Sequence, residues 1–217
     1  MGRPKQFIEL LGRPALHHTL QAFEDAPSVA RIYAVGDRSR IEDLAAEANV
    51  TKFAGCGEPG EVRSLSTRNG LLLCEEAMET IVLIHDGSRC LVTPDLIERV
   101  VVASRGDVDG VVPVLPVSDT IKICEDGTVA ATLDRAKLYA AQTPQAFRLG
   151  LLRRIYAAPE ESLRAATDDA SLVENAGGRV VVVAGEKTNI KLTSPEDLLL
   201  AEAILAAREG AHRGVPN

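Results

Sequence analysis

The chain is predicted to adopt an α/β fold, with a mostly parallel sheet and helices on both faces. Three observations predict it. Strand-like and helix-like segments alternate almost throughout the sequence. Thr80-Ile81-Val82-Leu83-Ile84 reads as a strand buried on both faces, and it stops at Asp86, Gly87 and Arg89. Aromatic residues are only 3% of the chain and Trp is absent, so the core must rest on Leu, Ile, Val and Ala.

The elements follow in order. Residues 14–25 read as a helix with Pro14 at its start. Residues 30–35 read as a short strand, 41–48 as a helix and 62–77 as a longer helix using Leu65, Leu71, Leu72 and Ala77. After the strand at 81–84, residues 94–104 form a helix with Thr93 as N-cap and Pro94 in the first turn. Residues 110–115 are an apolar strand, although Pro113 speaks against it. Residues 119–124 and 128–133 flank Glu125-Asp126-Gly127, and Asp-Gly between two β-prone runs signals a hairpin. A hairpin inserted into an α/β unit is expected to project, here as an arm of about residues 117–137. Residues 149–157 and 168–175 are helical, and Gly177-Gly178 ends the second. Residues 179–184 are a strand, and 195–208 a closing helix.

A chain of 217 residues can form one large domain. Residues 1–209 are read as that domain and 210–217 as a frayed tail. Hydrophobic residues make up 46% and charged residues 25%, ordinary for a globular protein. The formal net charge of −7 argues against nucleic acid or an anionic membrane as the main partner. A local cluster of Lys and Arg still permits a phosphorylated small substrate. Cys56, Cys74, Cys90 and Cys124 are scattered without a C-x-x-C, so reduced thiols are expected. No apolar run reaches membrane-span length and no signal-peptide core is present, so the expected compartment is the cytoplasm.

Several short motifs could carry chemistry. In open α/β sheets ligands bind outside the carboxyl ends of strands. Asp86 there could hold a divalent metal and Arg89 a phosphate; a capped turn with an outward arginine explains the same residues. Gly2-Arg3-Pro4-Lys5-Gln6-Phe7 sets two cations beside a proline, or is simply a solvated terminus. Glu61 to Ser66 opens a helix whose free N–H groups and hydroxyls could receive a base or phosphate, or merely cap it. Asp134-Arg135 reads equally as a surface ion pair, and Thr167 to Ser171 as an N-cap with acids in the first turn. Lys191 lies in a short extended run, Asn189 to Thr193, where an outward lysine is an ordinary feature.

Their order is more informative than any one of them. Pro4-Lys5-Gln6, Arg63-x-x-Ser66-x-x-Asn69-Gly70, His85-Asp86-Gly87-x-Arg89, Asp119-Thr120, Asp134-Arg135, Gln142-Thr143-Pro144-Gln145, Thr167-Asp168-Asp169-Ala170 and Asn189-Ile190-Lys191-x-Thr193-x-Pro195-Glu196-Asp197 occur in this sequence order in one family. From Met1 to about Arg208 the chain resembles the 2-C-methyl-D-erythritol 4-phosphate cytidylyltransferases of the non-mevalonate isoprenoid pathway.

The resemblance implies a three-layer, Rossmann-like nucleotidyltransferase sandwich with a dimerisation arm. It implies transfer of CMP from CTP to methylerythritol phosphate with release of pyrophosphate. It assigns Lys5 to the CTP phosphates, Gly60 and Ser66 to the cytidine, Asp86 to Mg²⁺ and Arg89 to the same loop. It assigns Thr120 and Arg135, on the arm, to the partner subunit's sugar-phosphate site, and Thr167 and Lys191 to substrate and phosphate contacts. Lys5, Lys191 and Arg135 are the expected catalytic cations. An attacking phosphate needs no strong base, so the lack of a His or Cys catalytic pattern is expected. His17, His18 and His212 are read as structural or surface residues, and His85 as orienting the Asp86 loop. A ribitol-phosphate cytidylyltransferase shares most of these motifs, and a non-catalytic homologue is a further alternative.

Two departures from the family pattern stand out. Cys90 takes the place of a proline that commonly follows the Arg89 position, which should loosen the loop slightly. Family members also begin with an apolar strand and a glycine-rich, arginine-bearing loop placed before the position of Met1. The resemblance therefore suggests a sequence begun at an internal Met. Five aliphatic side chains at about 1.5–3 kcal/mol each would go with such a strand, and poor folding and little activity are expected of a chain without it.

Overall fold

The computed structural model describes the backbone of residues 4–213 and the side chains of residues 4–210. The Gly2-Arg3 part of the first motif, residues 214–217 of the expected tail and the His212 side chain lie outside these. The chain opens with a 3-10 turn at Lys5–Phe7, β1 (Glu9–Leu10), β2 (Arg13–Pro14) and α1 (Ala15–Asp25). Then come β3 (Ile32–Val35), α2 (Arg38–Glu47), β4 (Phe53–Gly57), α3 (Arg63–Leu71), β5 (Ile81–Ile84) and α4 (Pro94–Ser104). The strand β6 (Gly110–Pro116) leads into β7 (Lys122–Glu125) and β8 (Thr128–Thr132). After a 3-10 turn at Arg135–Lys137 come β9 (Tyr139–Ala141), β10 (Gln145–Arg148), α5 (Leu149–Tyr156), α6 (Glu160–Arg164), α7 (Asp169–Asn175), β11 (Val180–Ala184) and α8 (Pro195–Arg213).

The main sheet has the order β11-β6-β10-β5, with β9 also paired to β6. β11 is parallel to β6, while β10 runs antiparallel to both β6 and β5. Three strands thus point one way, and β9 and β10 run against them, an interruption absent from the sequence reading. β3 and β4 form a separate parallel pair. Alternation along the strands feeds two cores. Val112, Val114 and Phe147 face α3, α5 and α7 through Leu65, Leu149, Leu152 and Val173. Val111 and Ala146 face α1 and α4 through Phe23, Leu96, Ile97 and Val100. These are the helix, sheet and helix layers of an α/β sandwich.

Local chemistry fixes the element ends. The Asp37 side chain accepts from Arg40 N–H, so α2 starts three residues before the expected Ile41. Thr93 caps α4 by accepting from Leu96 N–H at 3.1 Å. Asp168 and Ser171 form a capping box on α7, and Gly177 follows that helix with φ 80°. α3 ends at Leu71, well short of the expected residue 77: Leu71-Leu72-Leu73-Cys74 is a continuous run without helical period, and Leu72 is exposed. Pro113 is accommodated inside β6. Its carbonyl accepts from Gln142 N–H on the side where β9 gives way to β10, so the missing N–H faces a break in the ladder. The run at 81–84, expected to be buried on both faces, is only half-buried because β5 is an edge of its sheet.

β7 and β8 pair through Glu125↔Thr128 across Asp126 (φ 49°) and Gly127 (φ 77°), the two positive φ values of a primed hairpin turn. Every residue of both strands is exposed, so the hairpin projects as expected.

Candidate active site

β5, β6 and β11 share one direction, so their carboxyl ends open on the same side of the sheet. Asp86 stands two residues past β5 and its side chain is only 12% exposed. Its Oδ1 accepts from Arg63 Nε at 2.7 Å, and its Oδ2 lies 2.8 Å from Lys191 Nζ. Burial alone would raise the carboxyl pKa, but Arg63 and Lys191 hold it well below the usual carboxylate range. Asp86 is therefore an anion throughout the neutral range. The Asp86 side chain thus sits in a charged cluster, within a loop that also makes a turn, Arg89 N–H donating to the Asp86 carbonyl at 2.9 Å.

The loop is braced from beneath. Thr143 Oγ1 accepts from Asp86 N–H at 3.1 Å and lies 3.0 Å from His85 Nδ1, while His85 Nε2 lies 3.1 Å from the Arg89 carbonyl. A carbonyl can only accept, so Nε2 carries the proton and Nδ1 takes the Thr143 hydroxyl hydrogen. Burial pushes the His85 pKa down to about 4, so the imidazole is neutral. His85 thus orients the Asp86 loop, as the sequence suggested.

Lys5 comes in from the chain start. Its Nζ donates to the Thr193 carbonyl at 3.2 Å, which places it beside the Lys191 segment. Lys191 itself is 44% exposed and lies in no strand; its partner is Asp86, not solvent alone. Arg89 belongs to the same cluster but is spent on structure. Its Nη1 donates to Asn189 O at 2.9 Å and its Nη2 to Ala141 O at 3.3 Å, tying the β5 loop to the end of β9 and to the segment after β11 that carries Lys191. Arg89 thereby braces the loop, and its Nε also lies 3.9 Å from Asp86 Oδ2.

Gly60 and Ser66 meet at the start of α3. Ser66 Oγ accepts from Gly60 N–H at 2.9 Å, and a Cβ at Gly60 would lie 2.5 Å from Leu65 Cβ and 2.7 Å from Ser66 N. Only glycine fits there. No side chain caps α3, so its first N–H groups stay available for a ligand. Thr167 is exposed, immediately before the capping residue of α7. Thr120 and Arg135 sit on the arm rather than in the Asp86 cluster, and Arg135 Nη1 donates to Ser118 O at 2.9 Å.

Arg63 and Asp169 were missed as site residues. Arg63 appeared only as a motif member, and Asp169 reads in sequence as one more first-turn acid. Nothing local marks the 2.6 Å pairing between them, which joins residues 106 positions apart (169 − 63).

No cluster of three or more His, Cys, Asp or Glu side chains able to hold a metal occurs among the described residues. The donor set still fits Mg²⁺, which commonly takes one or two carboxylates and completes its shell with water and substrate phosphates. Asp86 is the carboxylate that would serve.

Comparison with known proteins assigns the chain to a family. The family model of 2-C-methyl-D-erythritol 4-phosphate cytidylyltransferase matches residues 1–207. The chain is 68% identical over 209 residues to the enzyme of that name from Rubrobacter xylanophilus, covering 96% of this chain and 90% of that protein. It is 43% identical over 205 residues to the one from Syntrophotalea carbinolica, covering 93% and 88%. The crystal structure of a 4-diphosphocytidyl-2C-methyl-D-erythritol synthase superposes with a TM-score of 0.82 at 31% identity, over 93% of this chain and 94% of that one. The Thermus thermophilus cytidylyltransferase superposes with a TM-score of 0.78 at 33% identity, over 94% of each chain. The fold, the order of the motifs and these matches make one conclusion: the chain belongs to the 2-C-methyl-D-erythritol 4-phosphate cytidylyltransferase family.

Proposed function

We propose that the Asp86 cluster catalyses cytidylyl transfer from CTP to 2-C-methyl-D-erythritol 4-phosphate, a step of isoprenoid biosynthesis. A phosphate oxygen of the acceptor forms a bond to the α-phosphorus. The bond from that phosphorus to the bridging oxygen of the β-phosphate breaks, pyrophosphate leaves, and 4-diphosphocytidyl-2-C-methyl-D-erythritol forms. The supporting observation is the convergence of Lys191, Asp86 and the Lys5 segment at one end of the sheet. Both reactants are anions, and charge grows on the phosphoryl oxygens during attack. Lys5 and Lys191 offset that charge and hold the phosphates in line. Mg²⁺ on Asp86 would add Lewis-acid neutralisation of the phosphates when bound. Gly60, Ser66 and the uncapped start of α3 receive the cytidine, and Thr167 the acceptor.

The arm is read as a dimer contact that carries Thr120 and Arg135 to the partner's acceptor site. It exposes Ile121, Ile123, Val129 and Leu133, and Tyr139 is exposed where the arm rejoins the sheet. Free thiols at Cys56, Cys74, Cys90 and Cys124 suit a reducing cytoplasm, and no helix of the described residues is long and apolar enough to cross a membrane.

The test, like every kinetic assay below, uses the purified protein with the N-terminal strand and glycine-rich loop of family members joined ahead of Met1, and reads product formation with CTP, Mg²⁺ and methylerythritol phosphate beside a parallel reaction with ribitol 5-phosphate. Pyrophosphate release with the first acceptor is expected. Release with ribitol 5-phosphate alone would move the assignment to the related enzyme, and CTP binding without turnover would mark a non-catalytic homologue.

A further inference from the structure

Arg63 has no part in the mechanism above, yet it touches both Asp86 and the buried acid behind the site. Its Nε donates to Asp86 Oδ1 at 2.7 Å and its Nη1 lies 2.6 Å from Asp169 Oδ2. Asp169 is fully buried at the start of α7 and accepts from the Tyr156 hydroxyl at the end of α5. Tyr156 is itself locked into the core formed by Leu65, Leu152, Leu163 and Val173. A buried carboxylate is tolerated only when paired and hydrogen-bonded, so Asp169 and Tyr156 hold the guanidinium in one place. Burial works against the Arg63 cation, but Asp169 and Asp86 keep its pKa above the ordinary value.

We propose that Arg63 is a positioning residue: anchored from behind by Asp169 and Tyr156, it fixes Asp86 Oδ1 and so holds Oδ2 against Lys191 Nζ, the cation that meets the reacting phosphates. This rests on the cytidylyl-transfer reading of Asp86. A flexible Lys cannot replace it, because one ammonium cannot span two carboxylates in the planar geometry of a guanidinium. The motif Arg63-x-x-Ser66 then has a physical meaning. One turn of α3 carries the Asp86 clamp and the cytidine-side hydroxyl together.

The experiment is a double-mutant cycle on the full chain with Arg63→Lys and Tyr156→Phe, read in kcat, in KM for both substrates and in thermal melting. Arg63→Lys is expected to lower kcat by about 10–100-fold with KM for CTP changed little, as for the loss of a contact that matters in the transition state. Tyr156→Phe, at a side chain buried in the core behind the site, is expected to lower kcat by about 3–10-fold alone and to add nothing in the Arg63→Lys background. A purely structural salt bridge would instead lower the melting temperature, with additive and small effects on kcat.

A second readout needs no turnover. In protein labelled with ¹³C at the aspartate carboxyls, the Asp86 signal, identified by its loss in Asp86→Asn, is expected to shift in both variants. Folded variants with kcat within twofold of the parent, or an unmoved Asp86 signal in both, overturn the positioning role. A parent chain without product overturns the functional reading instead, and the carboxyl signal still decides whether Arg63 positions Asp86.

Discussion

Lys191 shows how a residue's meaning depends on what lies across from it. In sequence it is an outward lysine in an extended run; in space it faces an acid whose other oxygen is already taken. Lys191→Met is expected to cut kcat by about 10²-fold, in the range of losing one preorganised electrostatic contact, with folding retained by circular dichroism. Gly60 makes the opposite case, where the constraint is space rather than charge. A methyl group there would press on Leu65 and on the Ser66 backbone nitrogen, and that backbone belongs to a helix that cannot give way. Gly60→Ala is expected to raise KM for CTP and lower the melting temperature, with kcat at saturation less affected. An unchanged KM in steady-state kinetics would remove Gly60 from the nucleotide side.

Among the elements, the legible ones carry their own end signals. Thr93-Pro94 starts α4, Asp126-Gly127 turns the hairpin and Gly177 stops α7, each through bonds or φ angles made within a few residues. Thr93→Ala removes the cap and the hydroxyl contact to Glu186, and should cost about 1 kcal/mol by denaturant unfolding. β4 and β10 were not legible. Phe53-Ala-Gly-Cys-Gly has two glycines, which weaken any strand pattern, and is held by pairing with β3. Gln145-Ala-Phe-Arg is a strand only because β5 and β6 lie on either side of it. The arm belongs to this scale as well. Its strands have no core to pack against among the described residues, so a partner surface is the proposed reason for their apolar side chains. Ile123→Glu with Val129→Glu is expected to convert a dimer into a monomer in sedimentation velocity; an unchanged mass would remove the arm from the interface.

For the whole molecule, the buried imidazole of His85 links stability to pH. Its pKa is about 4 when folded and about 6.5 in an unfolded chain, so the unfolded state binds more protons between those values. Stability from this group is complete above about pH 6.5 and falls as pH drops toward 4, by up to about 3 kcal/mol. Asp86 adds a loss at lower pH. Its folded pKa is depressed, so its contribution is present above the unfolded value near 3.9 and disappears as pH falls below it. Thermal melts from pH 7 to 4 should therefore fall steadily, and His85→Asn, although less stable at pH 7, should show a shallower slope between pH 6.5 and 4.

The sequence by itself determined the α/β class, the projecting hairpin, most helix ends and the family's ordered motifs. These depend on local periodicity, caps and turns, or on residue identities that can be read in a row. Tertiary structure alone decided that β10 runs antiparallel inside the sheet and that Arg89 braces carbonyls. It also decided that Arg63 joins a buried acid to Asp86. These depend on groups about 20 to 100 residues apart meeting in a low-dielectric interior, where a backbone polar group or a charge must find its partner and no neighbour in sequence reveals which one.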